Sequence, residues 1–502
     1  MPLNEFEFEI ESVSMTKMQL IVGLGESGLA MVRHADSCGA SVRVYDSRQA
    51  PAQLATVQAR YPDVTVFCGE FKDEYLDGVH EVAVSPGLSP HVEPLCRIVQ
   101  QAAERGIPVV GELSVFTRAL ANLKATQGYA PHVLAITGTN GKTTVTSLTR
   151  HLCEAAGVSA VAAGNISPSM MDALCDAQAA HSLPQVWVLE LSSFQLQWAQ
   201  DFNPDAATVL NISQDHLDWH ADEAEYVQAK ANVFGETSVR VLNRDDALTM
   251  AMAATDAPAV SFGIGMPNAD GQYGLWLDGA MDWLAVSTAV EADATRKKRG
   301  KVEQVPEVQL QRLMPADALR IRGRHNAMNA LAALALCRAV GLPLAKLLHG
   351  LRSYEGEPHR VQWVAKINGV DFFDDSKGTN VGATLAALEG LGRPIVLVAG
   401  GDGKGQNFSP LFDAVKNNVK FLCLIGKDAS AMQAALESTG VPIQLYDTLE
   451  AATLAAAKQA VEGDAVLLSP ACASLDMFKN YAHRAQVFVD AVQGWAHENG
   501  QV

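Results

Sequence analysis

The chain has 502 residues, 48% of them hydrophobic and 19% charged, with a formal net charge of −18. That length accommodates about three domains of ~150 residues. The excess of acid excludes nonspecific binding to nucleic acid or an anionic membrane, which both need a basic face. The eight cysteines are scattered without a C-x-x-C pair, so reduced thiols in a cytoplasmic protein are expected, with neither a disulfide framework nor a zinc site.

The opening MPLNEFEFEIE is acidic where a secretory signal would be basic. No apolar run approaches the ~18 residues of a membrane span. MQLIVGLGESGLAMVRHA reads as strand, glycine turn and helix, and SVRVYDS, TVFCG and EVAVSPG read as further strands. Strands alternating with helical stretches predict a parallel, doubly wound sheet, assigned to a first domain of residues 1–116. GLGESG at 23–28 fits G-x-G-x-x-G after a strand, with Asp46 ending the next strand. The pattern places a diphosphate at a helix N-terminus; NAD and another nucleotide diphosphate stand as equal alternatives at this point. The polar ANLKATQGYAP at 121–131 reads as a linker.

The second domain, residues 117–356, opens with HVLAI running into TGTNGKTT at 137–144 and then into the helical VTSLTRHLCEAAG. A glycine turn between strand and helix aims backbone N–H groups and the positive end of the helix dipole at one spot. Lys142 adds a point charge for β/γ-phosphate oxygens, and Thr143 offers a hydroxyl to Mg²⁺. The full pattern G-x-x-x-x-G-K-[ST] would place a glycine at Ile136, so the loop is a shortened variant. Binding of ATP or GTP, with hydrolysis or transfer of the terminal phosphate, is the expected chemistry. QVWVLE at 185–190 places Glu190 at the carboxyl end of a buried strand, where the acidic Mg²⁺ partner of a phosphate loop sits. NISQDHLDWH at 211–220 puts His216, beside Asp215 and Asp218, just past another strand end on the same sheet edge.

EYVQAKANVF at 225–234 reads as a helix whose Tyr226, Val227, Val233 and Phe234 form an apolar stripe, with Lys230 in its middle. A lysine that snorkels to the surface is the expectation from the residues alone. An inward lysine would instead lose hydration and become a neutral, nucleophilic amine open to carbamate formation with CO₂. Residues 263–315 are Gly-rich and predict short antiparallel strands and loops, with RKKRGK at 296–301 as a solvated surface loop. HNAMNALAALALCRAVG is a long helix closed by Gly341 and Pro343.

The third domain, residues 357–502, repeats the alternation with VDFFDDS, PIVLVAGG, KFLCLIG, IQLYD and AVLLSP as strands. VAGGDGKG at 398–405 carries Lys404. LSPACASLDMF at 468–478 predicts a strand leading into a helix, with Ser474 near the helix start. Either turn can hold an anion such as a carboxylate; taken singly, each reads as a tight α/β connection.

GLGESG with YDSR and SPG, the shortened TGTNGKTT, ELSSFQL, DDSKGTN and SPACASLDMFKNY together resemble the Mur ligase family, the ATP-dependent amide-forming enzymes of peptidoglycan precursor synthesis. The resemblance covers nearly the whole chain. It implies an α/β protein of three domains: a Rossmann-like N-terminal domain, a central P-loop ATPase-like parallel sheet and a Rossmann-like C-terminal domain. It implies an ADP-forming acid–amino-acid ligase that adds D-glutamate to UDP-N-acetylmuramoyl-L-alanine through an acyl phosphate. A same-family ligase for another amino acid is the alternative within the class, and a non-catalytic ATP-driven switch the alternative outside it.

By the same resemblance the first domain holds UDP and not NAD, lined by Gly25, Glu26, Ser27, Gly28, Ser47, Arg48, Ser85, Pro86 and Gly87. ATP is held by Gly138, Thr139, Asn140, Gly141, Lys142, Thr143 and Thr144, completed by Asn326, Arg360, Asp375 and Lys377. Mg²⁺ is expected at two sites, one at Thr143 and Glu190 and one at His216 and a carbamylated Lys230. Asn165 stands close to the reacting phosphate, so the catalytic set is Lys142, Asn165, His216 and Lys230. Thr379, Lys404, Ser474 and Tyr481 line the D-glutamate pocket. A monomer in the cytoplasm is implied, with small-molecule partners and neither nucleic acid nor membrane, serving cell-wall biogenesis, cell shape and cell division. Ala485 in RAQVF and Gly378 depart from the family pattern, and neither the N-terminal arm nor the RKKRGK insert has a family role.

Overall fold

The apolar runs between glycine turns become the strands of three sheets in the computed structural model, which describes residues 18–501 except 214, 217, 218, 280 and 291–307. The N-terminal arm, Asp218 and the RKKRGK run lie outside the described residues. The first sheet is all parallel, in the order Thr65–Cys68, Val42–Asp46, Met18–Val22, Val79–Val84, Val109–Gly111. Strand order reverses beside Met18–Val22, so a crevice opens at the carboxyl ends of Met18–Val22 and Val79–Val84. The GLGESG turn leaves the first of these strands.

The second sheet runs Val308–Pro315, Met281–Ala289, Gln272–Asp278, Ala259–Phe262, Val239–Asn243, Ala206–Val209, His132–Thr137, Val186–Glu190, Ala160–Gly164. Its strands are parallel except Met281–Ala289 and Val308–Pro315, which pair antiparallel at one edge. The stretch read as short strands and loops thus holds strands of 7, 9 and 8 residues; cross-strand pairs such as Leu275 with Leu284 bury one face. In the centre of the sheet Ile136 stands opposite Glu190, and Thr137 opposite Val209. This register brings the phosphate loop, Glu190 and the NISQDHLDWH segment to one edge.

The third sheet runs Gln362–Ile367, Val370–Asp374, Ala465–Leu468, Ile395–Gly400, Val419–Ile425, Ile443–Leu445, antiparallel only at Gln362–Ile367. The Ala/Leu-rich helix Arg324–Ala339 buries most of its length and joins a core with the helix Lys142–Ala155 that follows the phosphate loop. Among the described residues, no helix is long and apolar enough to cross a membrane.

Two expectations fail. The supposed linker at 121–131 is helical to Gln127, as part of the helix Glu112–Gln127. Leu113, Phe116 and Leu123 fall on its inner face, and the polar residues that suggested a linker are its solvent side; Gly128, at φ +70°, ends it. Nor does a helix begin near Ser474. The chain is irregular until Asn480, whose side chain accepts from His483 N and caps the helix Tyr481–Glu498.

Candidate active site

The phosphate loop is shaped by backbone that only glycine tolerates. Gly138 sits at φ +151°, with Leu210 Cβ 2.9 Å from where a side chain would begin, and Gly141 at φ +85° opens the helix Lys142–Ala155. Asn211, from the neighbouring strand end, holds the turn at both levels. Its carbonyl accepts from Thr139 N at 2.9 Å, and its side chain accepts from Asn140 N at 2.8 Å and donates to the Asn140 carbonyl at 3.1 Å. The sequence reading passed over Asn211, although a polar residue directly after an apolar strand, on the edge that carries the loop, was a signal. Lys142 Nζ donates to the carbonyls of Gly138 and Thr139, each at 2.8 Å. Burial lowers the pKa of this amine, against the attraction of Glu190. Thr143 and Thr144 are buried in the first turn.

Glu190 and Asn165 form one unit. Asn165 N donates to the Glu190 carbonyl at 2.7 Å, and Asn165 Nδ2 to Glu190 Oε1 at 3.0 Å. Glu190 is 2% exposed, and its Oε2 is buried without a hydrogen-bond partner. An orphaned carboxylate oxygen costs free energy unless a cation meets it. With the Thr143 hydroxyl, this donor set fits Mg²⁺, which takes one or two protein oxygens and completes its shell with phosphate and water.

Lys230 does not snorkel. It is 2% exposed, with Nζ 3.0 Å from the Gly138 carbonyl, 3.5 Å from Thr137 Oγ1 and 4.7 Å from the centre of the Tyr226 ring. The helix Glu223–Ala231 ends soon after it, and Tyr226 OH lies 2.9 Å from Thr139 Oγ1, so one turn of this helix leans on the phosphate loop. Burial, with the charge of Lys142 adding, holds the Lys230 amine well below the usual lysine range. His216, at φ +54°, packs 4.7 Å from the Phe194 ring and 6.5 Å from Tyr226, with Nε2 3.6 Å from Asp215 Oδ2. Among the described residues, no group of three or more His, Cys, Asp or Glu gathers as a metal cluster.

The third sheet sends its own residues here. Arg360 Nη2 donates to Thr143 Oγ1 at 3.0 Å, and its Nε is buried without a partner. Asp375 accepts from Ser469 Oγ at 2.7 Å and from Val361 N at 3.2 Å; burial pushes its carboxyl up to about 7, against the pull of Ser469 and Arg360. Burial and Arg360 lower the Lys377 amine. Asn326 donates to the Arg322 carbonyl at 2.8 Å and accepts from Asn329 Nδ2 at 3.1 Å. Asn329 Oδ1 lies 2.9 Å from where a side chain on Gly141 would begin, so this helix packs on the loop through a residue the sequence reading missed. A second polar position three residues on in an Ala/Leu-rich helix was its signal.

At the first sheet's crevice lies a cavity of about 700 Å³. Eight of the nine expected residues line it: Gly25, Glu26, Ser27, Ser47, Arg48, Ser85, Pro86 and Gly87. Gly28 instead packs against the strand end, with the Gly23 carbonyl oxygen 2.0 Å from where its Cβ would stand. Both oxygens of Asp46 are engaged, by Leu24 N at 2.7 Å and by Arg48 through Nε at 2.8 Å and Nη2 at 2.7 Å. Although burial works the other way, these bonds hold the carboxyl below the usual range. Asp46 is thereby committed to the protein where a dinucleotide fold would offer it to a ribose.

On the third sheet, Asp402 and Ala473 exchange backbone hydrogen bonds of 3.0 and 2.9 Å, which sets the turn of Lys404 beside the stretch of Ser474. Lys404, at φ +49°, is exposed, and Ser474 is buried. Arg484, 0% exposed, ties this stretch to the loop carrying Lys377 and Thr379. It donates to Ser376 Oγ at 3.0 Å, the Ser376 carbonyl at 2.7 Å and the Cys472 carbonyl at 3.1 Å, and burial lowers its guanidinium to about 10. Tyr481 faces Lys377, whose Nζ lies 5.7 Å from the ring centre.

Comparison with known proteins agrees across the chain. Residues 136–337 match the Mur ligase middle domain, 17–111 the MurD-like N-terminal domain of Mur ligases, and 359–472 the glutamate ligase domain of Mur ligases. A UDP-N-acetylmuramoylalanine–D-glutamate ligase of Burkholderia pseudomallei (strain 668) is 57% identical over 494 residues, covering 96% of this chain and 98% of the relative. Its counterpart in Burkholderia thailandensis is 56% identical over the same shares. Among solved structures, MurF from Acinetobacter baumannii aligns with a TM-score of 0.55 at 16% identity, over 95% of this chain and 90% of that one. The UDP-N-acetylmuramate-alanine ligase MurC from Thermotoga maritima aligns with a TM-score of 0.52 at 19% identity, over 95% and 99%. At those identities the two structures establish the fold.

Proposed function

The chain belongs to the Mur ligase family, and we propose that it joins D-glutamate to UDP-N-acetylmuramoyl-L-alanine, driven by ATP, as a monomer in the cytoplasm. The reading rests on the contact by which Arg360, at the approach to the third sheet, donates to Thr143 Oγ1 in the first turn after the phosphate loop. The choice of amino acid rests on the 57% identity to a D-glutamate ligase. Residues 1–116 hold the UDP portion in the crevice at Ser27, Arg48 and Ser85, residues 117–356 hold ATP, and residues 357–502 hold the amino acid.

A carboxylate is a poor acyl donor, so the acceptor carboxylate first attacks the γ-phosphorus of ATP and gives an acyl phosphate. The N–H groups of Lys142, Thr143 and Thr144 at the start of the helix and the Lys142 ammonium hold the phosphates in line. Mg²⁺, when bound at Glu190 and Thr143, neutralises charge on the transferring group. Arg360, already bonded to the Thr143 hydroxyl, adds its positive charge to the transferring group, and Asn165 keeps Glu190 in place. Lys404 and Ser474 hold the incoming amino acid by its carboxylates. Its amine attacks the acyl carbon, and phosphate leaves.

The buried Lys230 amine, its pKa lowered by burial and by Lys142, is our candidate to add CO₂. The N–C bond forms, a proton leaves to water, and the resulting carbamate would, with His216, supply an anionic oxygen to a second Mg²⁺.

Acceptor carrying ¹⁸O in its terminal carboxylate tests the acyl phosphate. One labelled oxygen should appear in the released phosphate for each amide formed; unlabelled phosphate would contradict the route.

A further inference from the structure

The amino acid arrives as an ammonium, which has no lone pair with which to attack, and the steps above leave its proton unassigned. His359, the residue before Arg360, packs beside Tyr481 and the Lys377 loop. Its Nδ1 lies 2.7 Å from Asp374 Oδ2. Asp374 is 1% exposed, and its other oxygen accepts from Ser376 N at 2.9 Å. A buried carboxylate on Nδ1 makes that nitrogen the N–H and leaves Nε2 as the basic lone pair. The imidazole side chain is 27% exposed, so it meets solvent where its carboxylate does not.

The backbone fixes the ring's position. His359, at φ +64°, donates from N to Gln362 Oε1 at 2.9 Å and accepts at its carbonyl from Lys377 N at 3.1 Å. A β-region backbone would be the relaxed choice for a histidine, so the site over-determines this conformation. The ring stands 6.1 Å from the Tyr481 ring at 71°. Arg360 next in the chain reaches Thr143 on the phosphate side, and Tyr481 belongs to the amino-acid side. The imidazole thus lies between the two halves of the reaction. The charged and titratable groups around it are Asp374 on its neighbouring strand, Arg360 beside it, Lys377 on the following loop and Tyr481 on the C-terminal helix; of these, Asp374 alone bonds the ring.

We propose that His359, held by Asp374, is the general base that takes the proton from the ammonium of the incoming amino acid. This rests on the acyl-phosphate reading. The N–H bond breaks, its electron pair stays on nitrogen, and the proton passes to Nε2. The neutral amine then forms the N–C bond to the acyl carbon. As the tetrahedral adduct collapses, the C–O bond to phosphate breaks, phosphate leaves with that electron pair, and the second amine proton leaves with it. The imidazolium returns its proton to water.

Hydroxylamine separates this role from ATP binding, because it is already neutral at neutral pH and needs no base. The full chain with ATP, Mg²⁺ and acceptor is assayed for acyl transfer to D-glutamate and to hydroxylamine. His359→Asn keeps a donor for Asp374 but has no base; its D-glutamate rate should fall about 100-fold at neutral pH. That loss should shrink as pH rises toward the amine's own pKa, while the hydroxylamine rate stays within about threefold of the unaltered enzyme. Asp374→Asn, which presents the wrong tautomer partner, should show the same selectivity in weaker form, and His359→Gln guards against one variant misfolding. Equal loss with both nucleophiles, or an undiminished D-glutamate rate, would overturn the proposal. Failure of the unaltered enzyme to form any hydroxamate would instead sink the acyl-phosphate reading on which it rests.

Discussion

Arg360 Nη2 donates to Thr143 Oγ1 across 3.0 Å, joining the approach to the third sheet to the first turn of the phosphate-loop helix. On the proposed function, this guanidinium joins the third domain to the ATP site. Lysine at this position keeps the charge but loses the planar fork. Arg360→Lys should lower kcat by about 10²–10³-fold with little change in KM for the UDP substrate, measured by steady-state ADP release. Unchanged kcat would mean that the contact is incidental.

The Asn165–Glu190 unit depends on Gly164. At φ +119°, a side chain on Gly164 would begin 2.2 Å from the Glu190 carbonyl oxygen. Gly164→Ala must push the two apart. Turnover should fall about 100-fold, as for a misplacement of about 1 Å, and the Mg²⁺ concentration needed for half-maximal rate should rise. A variant with wild-type Mg²⁺ dependence would remove Glu190 from the metal site.

Lys230 couples stability to activity in opposite directions. Its folded pKa lies below the unfolded value, so the unfolded chain binds the extra proton. In CO₂-free buffer, stability should rise with pH across the window from the depressed pKa up to the usual lysine value near 10.5, and this slope should vanish in Lys230→Met. That variant should be more stable by about 1 kcal/mol at neutral pH yet inactive. Urea unfolding at several pH values reads the first effect. For the carbamate, ¹³C-bicarbonate should give a new carbamate resonance in the unaltered chain that is missing from the variant, and short carboxylates should restore part of the activity of Lys230→Ala. No resonance and no rescue would discard the carbamate.

Arg484 joins the Ser376 loop to the Cys472 stretch, the two proposed to hold the amino acid, and among the described residues it makes no ion pair with a carboxylate. Arg484→Ala leaves the Cys472 and Ser376 carbonyls without their donor. It should destabilise the chain by about 3 kcal/mol and raise KM for the amino acid more than KM for ATP. Parallel changes in both constants would show that the arginine supports the fold alone.

The phosphate loop, Glu190 and the shared sheet edge around them were legible because apolar runs and glycine turns are local patterns, whereas the strand order was not. Lys230 was legible as a position in an apolar stripe, but its direction was not. Snorkelling and burial give the same spacing, and only the Gly138 carbonyl and the Tyr226 ring decide between them. Asn211 and Asn329 left only a polar position in an apolar setting as a signal, and Arg484 and His359 left none, because each acts through a partner elsewhere in the chain. The helix through 121–127 was misread because its solvent face is as polar as a linker, and Ser474 because a strand followed by small residues looks like a helix start until Asn480 supplies the cap.

The joining of D-glutamate to the UDP-linked acceptor is read from its product. The full chain, incubated with ATP, Mg²⁺, UDP-N-acetylmuramoyl-L-alanine and a panel of D- and L-amino acids, should release ADP and phosphate in step with one amide product. Mass spectrometry should find that product with D-glutamate and with no other member of the panel. ATP hydrolysis without an amide, or equal product from another amino acid, would contradict the account.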